Sequence, residues 1–367
     1  MSYIVRRLLS GLVIIFALTW LTFALFWLLP AQPWRAIVTD PVPTKAEITA
    51  ANHKLGVDRP VYVQYGKFVW GIVRHGSFGR DYYTDRPVTT FLKQALPVTW
   101  SIVFGGVILL FVLALPLATV SALWANTALD RIILTLTIAG VALHPFIIGI
   151  GLRGLFAHRL HLLPAYYYCP LRGTTQLSSL DPGNFTYTYK SCGGLGGWSS
   201  HLVLPWLTFA VIFLPLYVRM LRGAIVEVLD SRYILTAHAK GAGMFRVLRV
   251  HVFRNAMLQP LTMIGMEIGI ALTVAIYIES MFTLHGAGQL AIGSLGYGSG
   301  IALGGSGASG GAVAGGNPGG QFDLPILVGV VFMIALTVIV LNLIVDVTYA
   351  LLDPRIRMSG RAAEAAA

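Results

Sequence analysis

Residues 230–259, DSRYILTAHAKGAGMFRVLRVHVFRNAMLQ, decide how the rest of the chain is read. They lie between two long apolar segments and are strongly basic. Between residues 222 and 254 there are six Lys/Arg (Arg222, Arg232, Lys240, Arg246, Arg249, Arg254) against two acids, Glu227 and Asp230. In a membrane protein, a short loop so rich in Lys/Arg stays on the cytoplasmic side. Asp230 or Ser231 can cap a helix start. The run 232–240 has no Gly or Pro, and Gly241 and Gly243 then break it, as a helix end or tight turn requires. A second helical run, 244–258, leads into the next apolar segment. The pattern predicts a short surface helix, a Gly turn and a basic helix re-entering the bilayer, together a docking element for a cytoplasmic partner.

Composition supports the membrane setting. The chain has 367 residues, 56% of them hydrophobic and 11% charged, with a mean hydropathy of +0.73. A soluble domain carries about 25% charged residues. Several segments here exceed the ~18 apolar residues that mark a span. The formal net charge is +11. Its cations sit in loops beside apolar segments, where they orient the chain in lipid rather than bind nucleic acid.

Arg6-Arg7 precede a charge-free run, 8–30. A signal peptide has a shorter core and a small-residue cleavage site, so this run reads as a first span with its N-terminus inside. Residues 31–96 read as an extracytoplasmic helical subdomain. Thr44-Lys45-Ala46-Glu47 is a capping box and Leu55-Gly56 a stop, predicting a helix over 45–55. Pro60 starts a second helix, with Tyr62, Tyr65, Val69, Ile72 and Val73 on an apolar side, ending at Gly76. Arg86-Pro87 start a third, with Val88, Leu92 and Leu96 on one face suited to the membrane interface.

Residues 97–357 read as a five-helix core. Spans are expected at 99–123, 132–156, 201–217, 258–281 and 324–345. Asp130-Arg131 mark a cytoplasmic turn. The polar, aromatic loop 158–200 and the charge-free loop 283–321 fall outside. Within 293–320, 13 of 28 residues are Gly, which makes a flexible linker rather than a phosphate loop. The tail 358–367 reads as disordered. Both termini are then cytoplasmic, with Arg6, Arg7, Arg131, the basic loop, Arg355, Arg357 and Arg361 inside. The first outside loop holds many Lys/Arg, but loops beyond about 60 residues escape the charge rule. The expected fold is an all-α polytopic membrane protein: six transmembrane helices, a cytoplasmic coupling helix and extended extracytoplasmic loops.

Few residues carry candidate chemistry. His144, beside Pro145 within a span, either lines a pathway or is satisfied by a neighbouring helix at a proline kink. Glu267 is an acid inside a span, either paired with a neighbour or coupled to protons. Glu279 lies near that span's outer end. Cys169 and Cys192 share one outside loop and form a disulfide in an oxidising exterior, or remain free thiols. There is no G-x-x-x-x-G-K-[ST], no metal-ligand spacing and no nucleophile elbow. No catalysis and no cofactor are therefore expected in this chain. An ion-coupled secondary transporter stands as the alternative, with Glu267 and His144 its only candidate groups. A membrane scaffold without transport is a third class.

The segments Tyr233-Ile234-Leu235-Thr236-Ala237-His238-Ala239-Lys240-Gly241 and His251-Val252-Phe253-Arg254-Asn255-Ala256 resemble the "EAA" loop of ABC-importer permeases. The similarity is to the B-type subunit of the dipeptide/oligopeptide/nickel family, which reads roughly Y-x-x-T-A-x-A-K-G then R-H-x-x-R-N-A. Here Val250 separates Arg249 from His251, and Gln259-Pro260 stands where Leu-Pro is usual. Leu55-Gly56-Val57-Asp58-Arg59-Pro60, Gln64-Tyr65 and Gly76-Ser77-Phe78-Gly79 resemble the family's LGLDxP…QY…GDLG, with Ser77 in place of Asp. Ile278-Glu279-Ser280-Met281-Phe282 and Gly286-Ala287-Gly288-Gln289-Leu290 resemble V-E-x-x-F…G-x-G-x-L. Asn342, Asp346, Tyr349 and Asp353-Pro354-Arg355 resemble the family's last helix. The loops 158–200 and 283–321 are insertions against that pattern.

The resemblance implies a permease subunit in a bacterial or archaeal cytoplasmic membrane. It implies a second, similar permease, two ATPase subunits holding ATP and Mg, an extracytoplasmic binding protein, and membrane lipid around the spans. ATPase coupling would fall to Arg232, Tyr233, Thr236, Ala237, Ala239, Lys240 and Gly241. Ala237 and Gly241, one turn apart, would share a face with Tyr233 as anchor, and Arg232 and Lys240 would form a rim. The solute would be a peptide or similar small molecule moved by alternating access.

Overall fold

In the computed structural model, residues 2–28, 34, 38, 43–82, 85–141, 144–171, 174–178, 186–190, 192–295 and 323–352 are described. The helices in chain order are α1 Ser2–Leu28, α2 Lys45–Leu55, α3 Val61–His75, α4 Val88–Leu123, α5 Ala128–Val141, α6 Pro145–Arg153, α7 Leu195–Leu229, α8 Arg232–Ala239, α9 Met244–Val247, α10 Phe253–Ala256, α11 Leu258–Phe282, α12 Ala287–Ser294 and α13 Leu324–Leu352. A π-helical turn, Gly154–Arg159, extends α6, and another, Leu248–Val252, joins α9 to α10. The Gly-rich stretch from 296, the tail 358–367 and the Asp353-Pro354-Arg355 motif lie outside the described residues.

Local chemistry sets the helix ends as the sequence suggests. Thr44 and Glu47 form the reciprocal capping box of α2, and Gly56 closes it at φ +71°. Gly76 closes α3 at φ +59°, in the left-handed region that glycine enters at least cost.

Among the described residues, four helical segments are long and apolar enough to cross a bilayer: Val88–Leu123, Leu195–Leu229, Gln259–Phe282 and Leu324–Val345. The third expected span is not one straight helix. Its two parts, Ala128–Gly140 and Pro145–Arg159, meet at 102°. A proline has no N–H to extend a preceding helix's hydrogen-bond ladder, and Pro145 takes the first position of a new helix with His144 at its N-cap,. The first expected span is the 27-residue α1, apolar over Leu9–Ala24.

The interfacial helix expected from Arg86-Pro87 is a correction. It is the first part of the 36-residue α4, which runs through Pro97 without a break. Its apolar face goes into protein rather than to the membrane surface: Val88, Phe91, Leu92 and Leu96 form a core with Ala287, Ile326 and Val330. Burial on that face stabilises the helix on both sides of Pro97 and outweighs the one lost backbone hydrogen bond. Within the loop 158–200, Thr174–Ser178 and Thr186–Lys190 pair as an antiparallel hairpin. The run Thr-Tyr-Thr-Tyr has the composition for this.

Two compact units divide the chain. One comprises residues 1–101, 160–203 and 275–337; the other, 102–159, 204–274 and the chain from 338 on. The first holds the core just described and a second cluster of Phe23, Tyr65, Leu324 and Val328. In the second unit, Gly105 and Gly106 of α4 seat aromatic rings of α7. A Cβ at Gly105 would stand 2.1 Å from the Trp206 ring, and one at Gly106 would stand 2.6 Å from Phe209. Glycines at a helix crossing inside a bilayer allow this close approach.

Candidate functional site

The loop after α7 is assembled by short-range devices. Ser231 stands at the N-cap of α8 with extended backbone, but its hydroxyl donates backward to the Val228 carbonyl at 2.5 Å. Ile234 is the buried anchor of α8, 1% exposed. At the far end, the Gly241 N–H donates to His238 O (2.9 Å) and the Ala242 N–H to Ala237 O (3.1 Å). This nested pair is a Schellman cap, with Gly241 at φ +81°,.

The cap alters one expectation. α8 stops at Ala239, with Lys240 at the C-cap, so Gly241 does not lie on a helical face with Tyr233 and Ala237. It makes the turn that aims α9. Arg232, Thr236, Ala239 and Lys240 are exposed, and Ala237 is half-buried. The Thr236 hydroxyl donates to the Arg232 carbonyl (3.1 Å) and so serves its own helix. Tyr233 keeps 45% exposure. Its hydroxyl accepts a hydrogen bond from Asn255 Nδ2 at 2.9 Å, and its ring lies edge-on to His251 at 6.5 Å. The two sequence segments that carry the resemblance are thus joined through one side-chain bond.

Two residues that sequence reasoning passed over dominate the exposed apolar surface. Phe245 is 78% exposed and Leu235 is 64% exposed, with Met244 and Tyr233 also open. Around them Arg232, Lys240, Arg246 and Arg249 are exposed, and no acid lies between residues 231 and 256. Exposed apolar side chains interspersed with cations of one sign on a short loop are what an interaction surface offers. No motif marks them in the sequence: Leu235 follows the residue that anchors α8, and Phe245 stands two residues after the second Gly break.

A buried ion pair supports the base from which this loop departs. Asp130 accepts from Arg222 Nε (2.7 Å) and Nη2 (2.6 Å), from Ser121 Oγ (2.5 Å) and from the Asn126 N–H (2.8 Å). The ends of α4, α5 and α7 are thereby clamped together. Arg222, counted from sequence among the loop cations, is therefore neutralised within the fold. Arg222 keeps 21% side-chain exposure against 3% for Asp130, so removing Arg222 would leave a buried carboxylate without its cation.

The candidate pathway acids separate. Glu279 is fully buried. It accepts from Thr99 Oγ1 (2.5 Å) and from the N–H groups of Gly288 (3.0 Å) and Gln289 (3.1 Å). Thr99 Oγ1 in turn accepts the Ala287 N–H at 2.8 Å. Glu279 thus caps α12 and braces it against α4, with no face open to a solute. A Cβ at Gly286 would lie 2.2 Å from its Oε1, so glycine is required at this close approach. Glu267 is half-buried and hydrogen-bonded to Tyr217. Its Oε2 has no hydrogen-bond partner among the described residues. His144 is exposed and accepts the Phe146 N–H through Nδ1 (3.3 Å), capping α6.

Cys169 and Cys192 are disulfide-bonded, with Cα atoms 6.0 Å apart. Their sulfurs lie with His201 in a compact group, but bonded sulfurs are not thiolates and the group is no metal centre. In the same unit, Asp323 and Asp81 are both buried and joined by a side-chain hydrogen bond. Asp323 also accepts the Tyr82 and Ile326 N–H groups, each at 3.2 Å.

Comparison with known proteins gives the family. Residues 114–358 match the family described as "Binding-protein-dependent transport system inner membrane component", and residues 1–103 match its N-terminal membrane component. The chain is 28% identical over 366 residues to the probable D,D-dipeptide transport system permease protein DdpB of Escherichia coli strain K12, covering 97% of this chain and 98% of that one. It is 30% identical to a putative peptide permease of Brucella suis biovar 1, covering 98% and 100%. It is 27% identical to the glutathione transport system permease protein GsiC of Salmonella paratyphi A, covering 97% and 99%. This chain belongs to the family of inner-membrane permease components of binding-protein-dependent ABC importers.

Proposed function

We propose that this chain forms one half of a translocation pathway for peptides or related small solutes, and that α8 with the start of α9 is its coupling element. The observation that carries this reading is the exposure of Tyr233, Leu235, Met244 and Phe245 among the exposed cations Arg232, Lys240, Arg246 and Arg249, in a loop shaped by the Gly241 cap and the Asn255–Tyr233 bond. A second permease of similar fold, two ATPase subunits carrying ATP and Mg, and an extracytoplasmic binding protein complete the importer. The chain itself is non-catalytic. Both termini and the 222–256 loop are cytoplasmic, residues 31–96 form an extracytoplasmic subdomain, and 97–357 form the permease core. ATP-driven closure of the ATPases would pull the coupling element, and the spans would rock to open the pathway outward. The peptide assignment is supported by the relatives, which are permeases for dipeptides, peptides and glutathione.

Expression with the neighbouring transporter subunits, followed by purification through a tag on this chain, tests the reading. Co-isolation of ATPase subunits, and uptake into proteoliposomes that requires both ATP and the binding protein, are expected. Uptake by this chain alone, driven by an ion gradient, would establish the secondary-transporter alternative.

A further inference from the structure

The helix α3 has two apolar sides, and among the described residues only one is packed. At about 100° per residue, Val61, Tyr65, Phe68, Ile72 and Val69 occupy an arc of about 100°. This side packs inward. The Tyr65 ring meets Phe16, Trp20 and Phe23 of α1 edge-on at 5.2–5.4 Å. Its hydroxyl reaches Thr19 Oγ1 at 2.8 Å and donates to the Phe16 carbonyl at 3.2 Å.

The next arc holds Tyr62, Val73, Gly66 and Trp70 within about 80°. Tyr62 is 68% exposed, Trp70 60% and Val73 75%. Arg74 and Lys67 follow within about another 60° of arc, both exposed. The Arg74 guanidinium lies over the Trp70 ring, 5.7 Å from its centre. The helix ends on His75 and carries no acid.

The contacts of α3 set its depth. Tyr65 shares a core with Phe23 of α1 and with Leu324 and Val328 of α13. Leu324 opens an apolar span, and Val328 is one turn, about 6 Å, further in. The helix therefore sits at the edge of the hydrocarbon layer, beside a spanning helix whose own faces are open at Leu12, Val13, Phe16 and Trp20.

We propose that α3 lies in the bilayer interface, with Tyr62, Trp70 and Val73 against acyl chains and Lys67 and Arg74 on phospholipid phosphates. The apolar arc continues the lipid-facing surface of α1. The adjoining cations match an anionic headgroup layer, and a Trp between them occupies the level that amphipathic rings favour. A long basic stem beside that ring buries its methylenes while keeping the charge at the headgroups. This side of the extracytoplasmic subdomain is thereby a membrane anchor that fixes the tilt of α1. The inference rests on the chain being a membrane protein and is independent of its coupling to an ATPase.

Nitroxide labels on Tyr62→Cys, Val73→Cys and Lys67→Cys, with the full chain in nanodiscs of phosphatidylcholine and phosphatidylglycerol, test it. The native cysteines are bonded to each other and do not take label. At positions 62 and 73, collision with oxygen should exceed collision with a water-soluble nickel chelate severalfold. At position 67 the order should reverse. Free access of the chelate to position 73 would overturn the proposal. So would protection from both colliders, which would mean that a protein partner covers the face. In parallel, brominated acyl chains should quench the parent's tryptophan emission more than that of Trp70→Phe. Equal quenching would also refute it.

Discussion

Truncating Phe245 is the most direct perturbation of the proposed coupling surface. A Phe side chain offers about 200 Å², and at 78% exposure about 150 Å² of it meets water. Full burial in an ATPase cleft would contribute about 4 kcal/mol at about 25 cal/mol per Å². Alanine keeps part of that area and docking is never complete, so Phe245→Ala should cost about 2 kcal/mol, or about 30-fold in affinity. The assay is titration of purified ATPase subunits onto the reconstituted membrane chain, with ATP-driven uptake measured alongside. Because Phe245 touches little of its own fold, thermal stability of the membrane chain should not change. Binding within about twofold of the parent would refute the placement of Phe245 in the interface, since a hot spot of this size is not lost in scatter. A large fall in the melting temperature of the membrane chain alone would also refute it, because it would show that the ring is needed within the fold.

Four further outcomes follow from particular contacts. Gly241→Asp places a side chain at φ +81°, costing about 1–2 kcal/mol, and re-aims α9; it should uncouple ATP hydrolysis from uptake while the membrane part still folds, and normal transport would contradict the coupling role. Glu267→Gln should leave uptake dependent on ATP and insensitive to a proton gradient; transport loss that tracks the gradient would revive proton coupling. Gly105→Ala sets a methyl 2.1 Å from the Trp206 ring, and should destabilise by about 1–3 kcal/mol through overpacking, read as a lowered unfolding midpoint; an unchanged midpoint would show that the α4–α7 crossing is loose. Burial, and then the Asp81 carboxyl, push Asp323 well above its ordinary 3.8. The folded state therefore binds more protons than the unfolded chain at pH above about 4, so the stability from this group is present in acid and is lost as pH rises. Asp323→Asn should flatten that slope in a melting series, and an unaltered slope would remove Asp323 as its source.

The sequence alone was enough for the membrane class, the helix boundaries of the 45–76 region and the placement of the basic loop between two spans. These follow from local rules. A capping box satisfies its own N–H groups, a glycine takes φ > 0 wherever a helix must end, and a run of about 20 apolar residues has no soluble partner large enough to bury it. Only the tertiary structure decided how distant residues meet. Val88, Leu92 and Leu96 have an amphipathic spacing that is equally suited to lipid or to protein, and packing on Ile326 and Val330 settled it. Glu279 read as a membrane acid near a span end, and became a helix brace because Thr99 and the amides of Gly288 and Gln289 converge on it from elsewhere in the chain. Arg222 read as a loop cation, until Asp130, 92 residues away, took both of its nitrogens. Phe245 and Leu235 carry no motif of their own. Their exposure is a residue of how Ile234, Val247 and Val252 turn inward, and that choice of side depends on three-dimensional burial which periodicity in so short a helix cannot express.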